Sequence, residues 1–197
     1  MPDYKKLQNG SDIRGVAIAV EGGKPVDLTE EAVRAIGGAF AGWLQSRLGE
    51  GVKRISIGRD SRLSGEQLSA WLRDGLSAAG MEVTDFGLCT TPAMFMSTVM
   101  EGWEFDGAVM ITASHNPKEY NGYKAYWADG AQVTPPHDKN IIAEVEKITS
   151  PDEVLTTQSK DNITILDETF DEIYLDAVHG LSLSPEAIAA NRDMKIV

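Results

Sequence analysis

Ser114 is the residue whose type and setting best suit it to carry a transferable group. It lies in Thr112-Ala113-Ser114-His115-Asn116-Pro117, directly after the apolar run Gly107-Ala108-Val109-Met110-Ile111. Such a run reads as a buried strand, and Pro117 bars its continuation as helix or ladder. Ser114 is therefore expected in a loop just past a strand's carboxyl end, the edge at which open α/β sheets bind ligands. A hydroxyl there, flanked by an imidazole and an amide, suits nucleophilic group transfer. Pro117 also pushes Asn116 toward extended backbone angles, which narrows the loop's choices and helps fix where Ser114 and His115 point. The same residue types build ordinary polar turns in which nothing reacts, so the loop alone leaves both readings open.

The rest of the chain alternates strand and helix patterns. Val16 to Val20 is an apolar strand candidate after the turn-rich Asn9-Gly10-Ser11-Asp12. Arg14 stands at its entry, where a guanidinium could clamp a phosphate with two parallel hydrogen bonds or simply pair with Asp12. Thr29-Glu30-Glu31 opens an amphipathic helix carrying Val33, Ile36, Phe40 and Leu44, which Gly49 ends. Arg54 to Gly58 reads as a strand, and Ser64 with Gln67 forms a capping box for a helix bearing Leu68, Leu72 and Leu76. Arg59, Asp60 and Arg62 thus fall between a strand and a helix. Met81 to Phe86 is the next strand, and Thr91-Pro92 opens a helix with Phe95, Val99 and Met100 facing inward.

Beyond the serine loop, Tyr123 to Trp127 alternates and turns at Asp129-Gly130 into Ala131-Gln132-Val133, a hairpin pattern. Alternation sets Lys124 and Tyr126 on the face opposite Tyr123 and Trp127. Pro135-Pro136-His137-Asp138 then opens a helix with Ile141, Val145 and Ile148. Together these elements predict an α/β fold of three layers, α/β/α, around a mixed, mainly parallel sheet. The polar, aperiodic stretch 149–162 marks the expected boundary. It gives a domain over 1–150 and, over 151–197, a linker and the truncated start of a second, similar domain. That second part carries helix patterns at Phe170 to Val178 and from Ser184, and a strand beginning at Met194.

Composition narrows the partners. The 197 residues are 42% hydrophobic and 24% charged with a net charge of −12, an ordinary globular profile with an acidic bias. Only Lys5-Lys6 approaches a basic cluster, so nonspecific nucleic-acid binding is not expected. An anionic ligand must be met by locally placed cations. The single Cys89 cannot form an internal disulfide, and no Cys/His spacing suggests zinc. The amino terminus lacks the apolar core of a secretory signal and no stretch is long enough to span a bilayer, so the expected compartment is the cytoplasm. Neither G-x-G-x-x-G nor G-x-x-x-x-G-K-[ST] occurs, which weighs against dinucleotide and P-loop chemistry.

Four segments in order carry a family resemblance: Asp12-Ile13-Arg14-Gly15, Gly58-Arg59-Asp60-Ser61-Arg62-Leu63-Ser64, the Thr112 to Pro117 loop and Asn121-Gly122-Tyr123-Lys124. Over residues 9 to 148 the sequence resembles the amino-terminal domain of the α-D-phosphohexomutases, the phosphoglucomutase and phosphomannomutase superfamily. The resemblance implies an intramolecular phosphotransferase that interconverts hexose 1- and 6-phosphates, of glucose or mannose, through a phosphoserine and a hexose 1,6-bisphosphate. On that reading Ser114 carries the phosphoryl group, Lys124 is the general acid/base, Arg14 a phosphate clamp and His115 an orienting neighbour. Asn116, Arg59, Asp60 and Arg62 support the phosphate and loop, and Mg²⁺ contacts the phosphate on Ser114. The family's remaining metal ligands, an Asp-Gly-Asp-x-Asp-Arg motif, do not occur in these residues. The expectation is therefore an amino-terminal fragment, inactive alone, whose partners are a hexose phosphate and the second to fourth domains of the same polypeptide. The competing expectation is a non-catalytic sugar-phosphate binding or interaction domain that keeps the loop.

Overall fold

The computed structural model describes residues 4–49, 51, 53–156 and 159–195. Its elements are α1 (Tyr4–Leu7), β1 (Gln8–Asn9), β2 (Asp12–Val16), α2 (Glu30–Leu48), β3 (Arg54–Arg59), α3 (Gly65–Ala78), β4 (Glu82–Leu88), α4 (Thr91–Met96), β5 (Gly107–Ile111), β6 (Tyr120–Trp127), α5 (His137–Glu146), β7 (Ile163–Ile165), α6 (Thr169–His179) and α7 (Pro185–Ala190). A short 3-10 turn covers Pro151–Glu153. The chain divides into two compact units, Met1–Leu166 and Asp167–Val197.

The first unit is built on one mixed sheet in the order β1-β2-β6-β5-β3-β4-β7. β5, β3, β4 and β7 run parallel, while β6 lies antiparallel between β5 and β2. From β3 the chain crosses to β4 on one side through α3, then steps back past β3 to β5 through α4. Crossovers of one hand require these two helices on opposite faces. The packing shows this: Leu68, Leu72 and Leu76 of α3 join Ile55, Ile57, Val109 and Ile111 in the main core with α2 and α5, whereas Met94 of α4 packs on Ala108, Met110 and Tyr126. Three layers result, as the alternating pattern predicts. The loops after β3 and β5 leave side by side where the chain's path over the sheet reverses, the crevice in which such sheets accept ligands.

Several local expectations are corrected. The strand in this stretch is β2, Asp12–Val16, rather than Val16–Val20. Ile13 and Gly15 alternate with Asp12 and Arg14, so the polar pair occupies one face of a true strand, and after Val16 the Ala17 and Ile18 amides both donate to the Glu119 carbonyl as the chain leaves the ladder. Gly10, at φ +63°, makes the tight turn between β1 and β2. Thr29 caps α2 as expected, its side chain accepting from the Ala32 amide. Ser64 forms no capping bond, because its hydroxyl instead accepts from the Asn121 side chain at 3.0 Å. α4 ends at Met96, with Met94 rather than Val99 filling the core; Val99 is exposed. The hairpin after Trp127 shrinks to a single Tyr126–Gln132 bridge, since β6 spends its ladders on β5 and β2.

The first unit extends past the expected boundary at 150, because β7 adds to β4 as a further parallel strand. In the second unit, Phe170 is buried and stacks on Tyr174 at 6.2 Å, while Leu181, Leu183, Ile188 and Met194 are exposed. The strand expected from Met194 falls partly on residues 196–197, outside the described residues, and Met194 and Lys195 have no regular structure.

Gly122 is the tightest point near the serine loop. A Cβ there would collide with the Ile13 carbonyl oxygen and stand 2.9 Å from Arg14 Cγ. Only a residue without a side chain lets β2 and β6 close to this distance. Gly122→Ala is expected to lower unfolding free energy by about 1–3 kcal/mol in urea titration, whereas Gly38→Ala, with open space around its Cβ, should raise it by about 0.5–1 kcal/mol through helix propensity.

Candidate active site

β5 delivers the serine loop, and its alternation decides which face the site uses. Val109 and Ile111 enter the main core, so Met110 and Thr112 point to the other face, the one that α4 partly covers. Ser114 follows in an exposed turn at φ +51°, a left-handed backbone angle that costs a non-glycine residue about 1 kcal/mol or more. A short chain of hydrogen bonds holds it there. The Ser114 amide donates to Thr112 Oγ1 at 3.0 Å, and Thr112 Oγ1 donates in turn to Asp60 Oδ2 at 2.8 Å. The Asn116 amide closes the turn on the Ala113 carbonyl at 2.9 Å.

Arg62 fastens the outside of the same loop. Its guanidinium donates to the carbonyls of Ser114 (3.0 Å), Asn116 (2.8 Å), Pro117 (2.8 Å) and Tyr120 (3.1 Å). Asp60 backs it, with Oδ2 at 3.4 Å from Arg62 Nε and Oδ1 accepting the Arg62 amide at 3.0 Å. A planar fork of five donors suits this task as an ammonium would not. The loop after β3 therefore holds the loop after β5.

The second half of the site is a cluster on β2 and β6. Arg14 pairs with Gly122 and Ile13 with Tyr123, so the antiparallel register carries Asp12 alongside Lys124 on one face. Asp12 is only 6% exposed. Its Oδ2 accepts from Arg14 Nη2 at 2.5 Å, Arg14 Nε at 3.2 Å and Lys124 Nζ at 2.9 Å, and its Oδ1 accepts from Gln132 Nε2 at 2.5 Å. Burial pushes the Asp12 carboxyl up, but hydrogen bonds and charge from Arg14 and Lys124 outweigh it and leave the group below the ordinary carboxylate value. Tyr126, on the same face, is pushed up to about 12 by burial and by the Asp12 charge. Arg14 Nη1 donates to Asn116 Oδ1 at 2.9 Å, which joins this cluster to the serine loop.

The sequence-derived residues thus sort into three groups. Ser114, Asn116, Asp60 and Arg62 meet in one hydrogen-bonded loop assembly, and Arg14 and Lys124 meet at Asp12. His115 is exposed and makes no hydrogen bond to a described residue. Arg59 does not join the loop: its side chain lies against Gly65 at the start of α3 and makes no hydrogen bond or ion pair with a described residue. Ser114, Asn116, Arg62 and Lys118 border a cleft of about 830 Å³ whose other wall is Ile18 to Glu21. Thr112 and Gln132 were not singled out by the sequence, and Asp12 was named only as a partner for Arg14, the pairing that the structure shows. Period-two alternation from Asp12 to Arg14 is the signal that places Asp12 beside Arg14, whereas Gln132 reaches the cluster from irregular chain and leaves no such trace.

The family model "Phosphoglucomutase/phosphomannomutase, alpha/beta/alpha domain I" matches residues 5–152. The chain belongs to the phosphoglucomutase/phosphomannomutase family. Within it, a phosphoglucomutase of Neisseria gonorrhoeae is 41% identical over 136 residues, covering 69% of this chain and 27% of the relative. A phosphoglucosamine mutase of Thermoanaerobacter sp. (strain X514) is 34% identical over 190 residues, covering 88% of this chain and 40% of the relative. Among solved structures, a phosphoglucomutase/phosphomannomutase family protein of Burkholderia thailandensis superposes with a TM-score of 0.66 at 29% identity, over 87% of this chain and 35% of its own. A phosphomannomutase-like protein of Thermus thermophilus gives a TM-score of 0.69 at 25% identity, over 88% and 36%. The chain therefore spans well under half the length of these family members. Among the described residues no helix is long and apolar enough to cross a membrane.

Two outcomes follow from this geometry. Arg62→Ala should cost about 1.5–3 kcal/mol of stability and speed hydrogen exchange at the Asn116 and Tyr120 amides, whose acceptors lie in the loop it fastens. Asp12 has a depressed folded-state value, so its contribution to stability is complete above the unfolded carboxylate value of about 3.9 and is lost as pH falls through the folded value. Unfolding free energies of wild type and Asp12→Asn should differ by a constant amount near neutral pH and converge below about pH 3.9.

Proposed function

We propose that this chain supplies the phosphoserine-loop part of a phosphohexomutase, which moves a phosphoryl group between the 1- and 6-hydroxyls of a hexose through Ser114. The observation that carries the reading is the joining of the exposed Ser114 turn, through Asn116, to the paired cations Arg14 and Lys124. A serine alone is a poor nucleophile or leaving oxygen, and a phosphoryl group needs cations around its equatorial oxygens. Arg14 offers its guanidinium to those oxygens, and Lys124 holds or accepts the proton of the sugar hydroxyl as that oxygen attacks the phosphorus of phosphoserine. The bond from phosphorus to Ser114 Oγ breaks as the new ester forms, giving a hexose 1,6-bisphosphate. In the return step Ser114 Oγ attacks the other phosphate and the sugar leaves as the isomer. His115 orients the loop or the charge beside it.

Mg²⁺ belongs to this chemistry by family resemblance. Among the described residues, however, no group of three or more His, Cys, Asp or Glu side chains converges as a cation site. Asp60 beside the loop is already held by Thr112 and Arg62. This chain alone does not fit the ion, and its carboxylate ligands would come from other parts of the polypeptide. The chain spans well under half the length of its curated relatives, which fits one part of a longer polypeptide. We infer a cytoplasmic fragment that does not turn over substrate alone. The named relatives include glucose, mannose and glucosamine phosphate mutases, and glucose or mannose phosphate is the substrate we propose.

The test is a coupled assay of the complete polypeptide that contains this chain, with Mg²⁺ and glucose 1,6-bisphosphate, on glucose 1-phosphate and mannose 1-phosphate. Wild type should isomerise at least one, Ser114→Ala should lose roughly 10³-fold or more in kcat, and intact mass should show one phosphoryl group that the variant lacks. No turnover of either sugar, or a fully active Ser114→Ala, overturns the reading. Robust turnover by these 197 residues alone would refute their incompleteness.

A further inference from the structure

Asp12 is the one carboxylate that binds both Arg14 and Lys124, and it carries no transferable group. We propose that Asp12 is the positioning residue of the phosphoryl-transfer site: its buried carboxylate fixes Lys124 and Arg14 side by side, with Gln132 locking the carboxylate's own orientation. The inference rests on the mutase reading for the roles of Lys124 and Arg14.

The geometry leaves Asp12 little freedom. One oxygen, Oδ2, accepts both cations, from Arg14 Nη2 at 2.5 Å and Lys124 Nζ at 2.9 Å. The two nitrogens can therefore be no farther apart than those two distances end to end. Like charges at that separation repel, and only a shared anion makes the arrangement stable. The other oxygen, Oδ1, is taken by Gln132 Nε2, which is itself 3.2 Å from Ser11 Oγ, while Gln132 Oε1 stands 3.5 Å from Lys124 Nζ. Gln132 thus closes a ring through Asp12 and Lys124. Arg14 uses Nε and Nη2 on Asp12 and Nη1 on Asn116, so its plane is fixed at both ends.

Each contact has a consequence for the reaction. A lysine that exchanges a proton with a sugar hydroxyl must not wander. Asp12 holds the Lys124 Nζ at 2.9 Å beside Arg14, and its burial keeps its charge from being screened by water. Tyr126, the titratable neighbour on the same strand face, stays neutral and adds no competing charge. The Asp12 side chain acts through Lys124 and Arg14 rather than on the substrate, which is what separates a positioning role from a catalytic one.

The experiment has two arms. In the first, this chain is labelled with acetic anhydride at fixed neutral pH, and the rate at Lys124 is normalised to the exposed Lys139. In Asp12→Asn the normalised Lys124 rate should rise about tenfold, since the amine is no longer held against the Asp12 carboxylate, while Gln132→Leu, which removes the second contact, should raise it about threefold. A role confined to folding would lower thermal stability without changing this ratio. In the second arm, the complete polypeptide's Asp12→Asn should lose about 100-fold in kcat with KM within threefold of wild type, and Asp12→Glu should recover part of the loss. Unchanged Lys124 labelling in both variants, or kcat of Asp12→Asn within threefold of wild type, overturns the proposal. An inactive wild-type polypeptide with the expected labelling change would sink the mutase reading and leave the Asp12 anchor standing.

Discussion

The position of β6 is the constraint on which the rest depends. It runs antiparallel between β5 and β2, and no other placement would let one strand bring Lys124 level with Met110 on one side and next to the Asp12–Arg14 face on the other. β5 carries the serine loop from its carboxyl end, so the strand that follows that loop is also the one that returns with the lysine. The eleven residues from Ser114 to Lys124 fold back on themselves and bring Lys124 to the strand face whose Asp12–Arg14 pair is tied to the serine loop through Asn116. Gly122 makes this possible by letting β2 approach without a side chain between the backbones.

Around this crossing the protein divides labour between two kinds of cation. Arg62 spends Nη1 and Nη2 on four backbone carbonyls and its Nε on Asp60, which leaves little for an anionic ligand. Arg14 and Lys124 are held by side chains instead, both on the Asp12 carboxylate and Arg14 also on Asn116. The difference matters in a chain of net charge −12, where a phosphate approaching at random meets repulsion. Local attraction has to be built from a few residues whose positions do not relax when the ligand arrives.

Much of this was legible in the residues. The apolar run before Ser114, the proline after it, the leucine stripe of α3 and the Thr29 cap each follow from a local rule, and each is where the rule puts it. What escaped was decided by pairing across long stretches of chain. Val16 to Val20 has the better apolar run, but Asp12–Val16 has a partner, and hydrogen bonds to β6 outweigh local hydrophobicity. Ser64 has the spacing of a capping box, yet Asn121, 57 residues on, competes for its hydroxyl and wins. Arg59 and Arg62 are equivalent as letters in one loop. Only the strand's alternation, which turns Arg59 toward α3 and lets the following turn bring Arg62 back, separates the guanidinium that lies against α3 from the one that fastens the serine loop.

The same logic explains why the missed residues are polar and buried rather than exposed. A sequence shows which side chains could react; it does not show which ones must be neutralised for the reactive ones to stay put. The sequence left Arg14 free to pair with Asp12, but Lys124 could have stood alone as a solvated surface charge, and its type gives no sign otherwise. Bringing them onto one sheet face creates a repulsion that some buried anion has to answer, and the strand that carries Arg14 carries that anion two residues earlier. Asp12 is therefore a consequence of where the cations sit. Any chain that places this arginine and this lysine on neighbouring antiparallel strands at this register needs a carboxylate in reach of both, and the period of a β-strand makes the residue two before the arginine the nearest place to put it.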